Sequence, residues 1–191
     1  MTERLDEYRK KRDFSKTPEP GPVLGEPGDR PVFVIQKHDA RRMHYDFRLE
    51  VDGVLKSWAV PKGPSTDPKV KRLAVPTEDH TLGYKNFEGV IPEGEYGAGV
   101  VLLWDRGPYR NLRDGEMTMA ESIEDGKVEV WLDGEKLRGG YALIRTGNGE
   151  KVRWIIIKMR DEKAGAGVDI LDSAPDSVIT GRNLEEIRRD S

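Results

Sequence analysis

In the segment at residues 44–49, HYDFRL, every second residue has a side chain that can bind a metal, transfer a proton or bind an anion. In a β-strand, side chains two residues apart project from the same face, so His44, Asp46 and Arg48 share one face. His38 lies six residues upstream of His44. Two imidazoles and one carboxylate suit Mn²⁺, Fe²⁺ or Zn²⁺ with coordination positions left for water and substrate. The spacing therefore predicts a metal site formed by His38, His44 and Asp46.

A guanidinium two residues beyond this ligand set indicates an anion between the two cations. Arg48 and a divalent metal repel each other unless a negative group lies between them, and phosphate accepts two hydrogen bonds from one guanidinium. The third histidine of the chain, His80, and nearby Tyr84 supply further donors or a proton. The residue types thus point to chemistry on a phosphate ester.

A plainer interpretation of the same strand stays open at this point. Most histidines on strands face solvent or satisfy their hydrogen bonds locally. The alternation of His44, Asp46 and Arg48 is also typical of an exposed strand that carries salt bridges. The residue types alone do not decide between an exposed, salt-bridged strand and a metal site.

The composition limits the class of protein and of partner. The chain has 191 residues, of which 36% are hydrophobic and 35% charged, with a formal net charge of −3. A protein that coats nucleic acid through bulk charge is usually basic, so we expect any nucleic-acid contact to be local. Cysteine is absent, which excludes disulfides and thiolate metal sites. With no signal peptide and no apolar membrane span, the sequence predicts a cytoplasmic protein with no membrane partner.

Short apolar or alternating segments between residues 31 and 160 predict β-strands. Asp52-Gly53 separates two of them, and Asp-Gly is a strong signal for a two-residue hairpin turn. The predicted strands are 32–35, 43–51, 54–60, 73–75, 100–104, 127–132, 140–145 and 152–158. Short strands with turns between them predict a mainly β fold, a closed antiparallel β-barrel of about eight strands with short flanking helices and an N-terminal arm.

The segments around these strands predict short helices, one loop and the arm. We predict a helix over 2–12 that starts at Thr2, an extended Pro/Gly-rich arm over 15–31, a loop over 88–99, helical turns over 117–123 and a helix over 180–190. In the last of these, Asn183 and Glu186 have capping-box spacing. We therefore expect one complete domain, with an arm at 1–30 that packs on a barrel at 31–191.

Four long motifs resemble a known family. The stretches RDFSKTPEP, FVIQKHDARRMHYDFRLEVDGVLKSWAVPKGPS, RLAVPTEDHTLGYKNFEGVIPEGEYGAG and WIIIKM are similar to the 3′-phosphoesterase domain of bacterial DNA ligase D and its stand-alone relatives. The resemblance runs from about residue 11 to 160. It implies a β-barrel with a polar, metal-containing centre, in which the face of His44, Asp46 and Arg48 points inward.

The resemblance also implies an activity and a set of site residues. A manganese-dependent phosphodiesterase step removes a 3′-terminal ribonucleoside, and a phosphomonoesterase step converts the resulting 3′-phosphate to a 3′-OH during DNA break repair. Matched by motif, the metal ligands are His38, His44 and Asp46, and the catalytic residues are Arg48, His80, Tyr84, Arg12, Asp13, Glu19 and Glu78. The further polar residues expected to bind substrate are Gln36, Lys62 and Arg72.

The implied cofactor is Mn²⁺, with Co²⁺ or Zn²⁺ as other divalent candidates. The implied partners are 3′ ends of DNA or DNA–RNA primer-templates, a separate DNA ligase, a polymerase or primase, and Ku. Two alternatives remain open: a non-catalytic nucleic-acid-binding barrel and a general metal-dependent phosphodiesterase. Few aromatic residues for base stacking are evident near the expected site, which favours the enzyme over the binding barrel.

Overall fold

The structure is a computed structural model that describes residues 3–26, 28–147, 149 and 151–191. It contains nine antiparallel strands. Their bounds are β1 Val32–Asp39, β2 Met43–Val51, β3 Val54–Val60, β4 Lys71–Thr81, β5 Gly89–Ile91, β6 Gly99–Asn111, β7 Lys127–Asp133, β8 Arg138–Thr146 and β9 Arg153–Lys158. Eight of them close a barrel in the order β1-β2-β3-β4-β9-β8-β7-β6, because β6 pairs again with β1. The short β5 adds to β6 outside this ring.

Two long strands connect the halves of the barrel. β4 pairs with β9 through residues 71–74 and with β3 through residues 75–81. β6 pairs with β1 over most of its length and with β7 through residues 109–111. The β1–β6 pair and the β3–β4 pair each contain a register shift. Such a shift lets β6 and β4 bend where they pass from one sheet to the other. The wall therefore closes without a free edge.

The barrel encloses an apolar core to which all eight of its strands contribute. Phe47 and Leu49 of β2 lie in this core. Since Asp46 and Arg48 alternate with them along the strand, these two residues and His44 lie on the outer face of the wall. The prediction that the polar face points inward is wrong. Large apolar side chains fill the interior, where desolvated charges would be costly.

Short helices surround the barrel. They are α1 Asp6–Lys10, α2 Met119–Asp125, α3 Ile170–Ser173 and α4 Leu184–Arg189, with 3₁₀ turns at Glu3–Leu5 and Leu82–Asn86. Thr118 and Glu121 form a capping box at the start of α2, and the predicted box of Asn183 and Glu186 is present at α4. Within the part of the chain that the structure describes, no helix is long and apolar enough to cross a membrane.

The N-terminal segment packs on the outer face of the barrel wall. Leu5 and Tyr8 are buried in a second apolar cluster that lies outside the main core and also includes Leu55 and Tyr84. The Tyr8 hydroxyl donates a hydrogen bond to the carbonyl of Pro20, 2.6 Å away, which folds the arm back on itself. The arm is therefore anchored at its helix, outside the barrel wall.

Most predicted elements are present with different bounds. The barrel and the strands of the β2–β3 hairpin are confirmed, and β4 and β6 are each longer than predicted. The predicted loop at 88–99 contains β5, and α3 was not predicted. The predicted N-terminal helix is shorter, and its expected start at Thr2 lies outside the described residues. The division into an arm at 1–30 and a barrel at 31–191 stays a prediction.

Candidate metal and phosphate site

A cavity of about 240 Å³ lies on the outer face of strands β1 to β4. The arm and the loop at 92–98 contribute to its walls. It brings together eight of the residues predicted from the sequence: Arg12, His38, His44, Asp46, Arg48, Glu78, His80 and Tyr84. Residues separated by 72 positions in the chain thus line a single pocket.

The three predicted metal ligands converge in this pocket. Register pairs His38 on β1 directly with His44 on β2, and Asp46 follows two residues along the same face. One ligand atom from each lies within 4.8 Å of the others. Asp46 Oδ2 is 3.5 Å from His38 Nδ1, and Asp46 Oδ1 is 3.5 Å from His44 Nε2. This separation matches three groups arranged around one ion.

Backbone carbonyls orient both imidazoles. His38 Nε2 lies 2.8 Å from the carbonyl oxygen of Gly97, and His44 Nδ1 lies 2.9 Å from that of Arg42. A carbonyl only accepts, so each of these nitrogens donates its proton and the other ring nitrogen keeps a lone pair. Those free nitrogens, His38 Nδ1 and His44 Nε2, are the ones that face Asp46. Metal-binding histidines are typically held in this way, so the residues fit a divalent cation.

The third predicted ligand, Asp46, is ionised. Burial raises the pKa of Asp46, but the charge of Arg48 and the two adjacent imidazoles outweigh it, and the pKa lies well below its usual range. Burial lowers the pKa of His44, but the neighbouring carboxylate of Asp46 raises it more, so the net shift is upward. Asp46 therefore presents an ionised carboxylate oxygen that can bind a cation.

Arg48 is held rigidly beside the ligands. Its Nε donates to Gln36 Oε1 at 2.9 Å, its Nη1 donates to Ser57 Oγ at 2.8 Å, and its Nη2 lies 3.3 Å from Asp46 Oδ2. The guanidinium carbon stands 4.9 Å from the centroid of the Tyr84 ring. Three of its five N–H groups are thereby directed at the protein, and the side chain still lines the cavity. A phosphate in the cavity would meet a guanidinium that is already oriented.

The arm contributes a second guanidinium through a buried ion network. Arg12 Nε donates to Glu19 Oε1 at 2.8 Å, and its Nη1 donates to Glu78 Oε1 at 3.1 Å. The hydroxyl of Tyr84 donates to the same Glu19 oxygen at 2.8 Å. The side chains of Arg12, Glu19 and Glu78 are at most 4% exposed. The network fixes the arm to the pocket.

His80 is a neutral hydrogen-bond acceptor in this network. Arg12 Nη2 lies 3.2 Å from His80 Nε2, and a guanidinium has no acceptor, so Nε2 accepts this hydrogen bond. The proton is on Nδ1, which donates to the carbonyl of Glu78 at 2.9 Å. Burial, and then the charges of Arg48 and Arg12, hold the pKa of His80 well below its usual range.

The neutral state of His80 predicts how stability depends on pH. Its pKa is lower in the folded protein than in the unfolded chain, where it is about 6.5. Below that pH the unfolded chain binds a proton that the folded protein does not, so stability is lost as the pH falls. The free energy of unfolding should therefore fall between pH 7 and pH 5. We expect this fall to be smaller in His80→Gln than in the wild-type protein by about 1–2 kcal/mol. Urea unfolding at both pH values measures this, and equal losses in both proteins would contradict it.

The remaining predicted residues lie outside the cavity lining. Glu19 and Gln36 are behind it and hold Arg12 and Arg48. Asp13 is exposed, and its carboxylate accepts hydrogen bonds from the backbone N–H and hydroxyl of Ser15. Lys62 is exposed in the turn after β3.

Arg72 lies on a different face of the wall. It pairs in register with Ile156, which belongs to the enclosed core, and paired residues share a face. Its side chain is therefore opposite the pocket. The roles predicted for Arg72, Asp13 and Lys62 stay predictions.

Sequence reasoning missed several contributors to the site. Ser57 had a usable signal, because a two-residue turn at Asp52-Gly53 pairs it with Arg48. Gly97 acts through a backbone carbonyl, which no side-chain pattern reports. Tyr96 lines the cavity and is 47% exposed. It was the one aromatic residue in a glycine-rich loop, which was a signal that could have been used.

Comparisons with known proteins agree with the sequence motifs. The family model for the DNA ligase D 3′-phosphoesterase domain matches residues 36–145. The multifunctional non-homologous end joining protein LigD of Pseudomonas aeruginosa is 50% identical over 191 residues, covering 94% of this chain and 22% of that protein. The corresponding DNA repair protein of Mycobacterium tuberculosis is 52% identical over 164 residues, covering 85% and 21%. This chain spans about a fifth of the length of these relatives.

Proposed function

The chain belongs to the DNA ligase D 3′-phosphoesterase domain family, and we propose that it is a hydrolase that heals 3′ ends of DNA and DNA–RNA strands. The observation that carries the proposal is the convergence of His38, His44 and Asp46, with both imidazoles oriented by backbone carbonyls, beside the fixed guanidinium of Arg48. This arrangement suits a phosphate ester better than a neutral ligand. A divalent cation and Arg48 together carry more positive charge than Asp46 neutralises, and an anionic ligand would balance the rest.

The ligands support a divalent transition metal. His38 Nδ1, His44 Nε2 and a carboxylate oxygen of Asp46 would hold the ion, and we propose Mn²⁺, with Co²⁺ and Zn²⁺ as other candidates. When bound, such an ion supplies Lewis-acid stabilisation for charge that develops on a phosphate oxygen. Without it, Asp46 and a phosphate would repel each other in the same cavity.

The chain's own cations would hold the phosphate and stabilise its developing charge. Arg48 has N–H groups free of the contacts to Gln36, Ser57 and Asp46, and Arg12 presents its guanidinium from the arm. Because both are fixed by hydrogen bonds before substrate binds, little reorganisation accompanies the reaction. We propose that they bind equatorial phosphate oxygens.

For His80 we propose a role in holding Arg12, and not the role of a general acid. A general acid must carry a proton on the nitrogen that faces the substrate, whereas His80 Nε2 accepts a hydrogen bond from Arg12. Its lowered pKa also disfavours the protonated ring. Tyr84, whose hydroxyl donates to Glu19, would position the same guanidinium from the other side.

The proposed reaction has two hydrolytic steps. In the first, water attacks phosphorus, the bond from phosphorus to the 5′ oxygen of the terminal ribonucleoside breaks, and the nucleoside leaves with a proton. In the second, another water molecule displaces the 3′ oxygen, which yields a 3′-OH end and inorganic phosphate. The relatives are named as non-homologous end joining proteins. We propose that this chain serves the same process, with a DNA ligase, a polymerase or primase, and Ku as partners.

Replacing Arg48 by lysine tests the phosphate-binding role. Lysine keeps the positive charge but loses the planar set of donors that Gln36 and Ser57 orient. We expect Arg48→Lys to lower kcat by about 10²–10³-fold on both the diester and the monoester substrate. Steady-state kinetics with saturating Mn²⁺ measures this. A loss below about threefold would show that a point charge suffices and would contradict the proposed geometry.

The function itself is tested with a 5′-labelled DNA primer that ends in one ribonucleotide. The proposal expects loss of the terminal nucleoside only when Mn²⁺ is present, followed by 3′-phosphate and then 3′-OH ends on a denaturing gel. An untouched primer, with protein that is folded and binds Mn²⁺, would contradict it. Cleavage at internal RNA positions or of small nucleotides at equal rates would instead indicate a general phosphodiesterase.

A further inference from the structure

A second concavity of about 430 Å³ adjoins the phosphate pocket. The two share three lining residues, Thr77, Glu78 and Tyr96, so a molecule bound in one can continue into the other. The lining of this adjoining concavity is Glu7, Lys11, Pro76, Thr77, Glu78 and Tyr96. Sites for small organic molecules typically have volumes of roughly 300–1,000 Å³, and this one falls within that range.

Tyr96 stands on the border between the two spaces and presents an aromatic ring to them. It is 47% exposed, although its neighbour Gly97 is tied to His38 by a 2.8 Å hydrogen bond. Lys11 Nζ lies 5.1 Å from the centroid of its ring and the guanidinium carbon of Arg12 lies 5.3 Å from it. An exposed ring on a fixed backbone, next to the site for the phosphate, is suited to stacking on a nucleobase.

The charge of the adjoining concavity selects which nucleotide it accepts. Lys11 is 3.6 Å from a carboxylate oxygen of Glu7 and 3.1 Å from one of Glu78, so two carboxylates face one ammonium group. Arg12 also pairs with Glu78, so this space has no net positive charge with which to bind another phosphate of a continuing strand. A terminal nucleoside carries no further phosphate, and its hydroxyl groups donate hydrogen bonds to carboxylates.

The turn between β1 and β2, on another side of the pocket, is positively charged. Arg41 and Arg42 are exposed there, three and two residues before His44. Basic side chains of this kind favour the phosphates of the continuing strand. The charge difference between the two sides of the pocket gives a bound strand one direction.

We propose that the adjoining concavity is a subsite for the 3′-terminal ribonucleoside, with Tyr96 stacking on its base. This inference rests on the proposed function and adds to it the position of the leaving group. The subsite is occupied in the diester step only, because a primer that ends in a 3′-phosphate has no nucleoside beyond the phosphate. Tyr96 therefore contributes to the first hydrolytic step more than to the second.

The experiment compares kcat/KM for two primers of the same sequence, one ending in a ribonucleoside and one ending in a 3′-phosphate, both with Mn²⁺. We expect Tyr96→Ala to lower the value for the ribonucleoside primer by at least about tenfold more than the value for the 3′-phosphate primer. Tyr96→Phe, which keeps the ring, should lose less than about threefold on either primer. A primer with an abasic terminal ribose is the matched substrate, on which Tyr96→Ala should lose no more than on the 3′-phosphate primer.

The outcomes separate the subsite from the function on which it rests. If the wild-type protein hydrolyses both primers and Tyr96→Ala weakens both equally, the subsite is overturned and the phosphoesterase function stands. An equal penalty on the abasic and base-bearing primers would overturn it as well. If the wild-type protein hydrolyses neither primer, the proposed function is wrong and the subsite fails with it.

Discussion

Replacing His44 by alanine is expected to abolish Mn²⁺ binding and both hydrolytic steps, with activity below about one thousandth of the wild-type value. His44 supplies one of three candidate ligands, and the remaining pair, His38 and Asp46, is a weak site for a divalent cation. Loss of the ion removes several kcal/mol of charge stabilisation from the transition state, and each 1.4 kcal/mol corresponds to a tenfold change in rate.

Metal binding and activity need separate measurements for this variant. Electron paramagnetic resonance of free Mn²⁺ gives the affinity, and the two labelled primers give the rates. Met43→Ala is a matched control, because Met43 is the preceding residue on β2, is 39% exposed and does not line the pocket. We expect this control to bind Mn²⁺ normally. Full manganese-dependent activity in His44→Ala would contradict the assignment of the ligands.

The convergence of His38, His44 and Asp46 could be predicted from the sequence because it depends on local geometry. His44 and Asp46 are two residues apart on one strand, and His38 is paired with His44 across a short turn. The hairpin that follows was equally local. Asp52 and Gly53 both have positive φ, 49° and 85°, as the predicted two-residue turn requires.

The direction of the polar face could not be obtained in the same way. Alternation states which side chains share a face, and both faces of β2 are largely buried. Along β2 the inner face packs in the apolar core of the barrel, and on the outer face Arg48 lies over the ring of Tyr84. Only long-range packing distinguishes these two kinds of burial, so the sequence pattern for Asp46 and Arg48 fits either one.

The contribution of the arm was also beyond local reasoning. Proline and glycine between residues 15 and 31 exclude regular structure but do not specify a partner. Arg12 reaches Glu78, 66 residues away, and Glu19 reaches Tyr84, 65 residues away. No spacing rule applies across such separations, and these residues entered the prediction only through resemblance to the family.

The second large effect is expected from Arg12→Ala, which should destabilise the fold and abolish activity but leave Mn²⁺ binding intact. Its guanidinium is 4% exposed and compensates Glu19, which is fully buried, and Glu78. Removing one partner of a buried ion pair costs about 3–5 kcal/mol, because the other charge stays desolvated. The three candidate metal ligands lie on β1 and β2 and are held by one another and by the carbonyls of Gly97 and Arg42, so they keep their geometry.

A double variant separates the two effects of Arg12. Replacing Arg12 by methionine together with Glu19→Gln removes the charge at position 19, and Glu78 keeps Lys11 as its partner 3.1 Å away, so we expect much of the free energy of unfolding to return. Activity should not return, since the donor for the phosphate is still absent and such donors are worth about 10²–10³-fold in rate. Urea unfolding, Mn²⁺ binding and primer hydrolysis measured on the same preparations provide the comparison. If the double variant regained activity along with stability, Arg12 would act only by fixing the arm, and its contact with the phosphate would have to be given up.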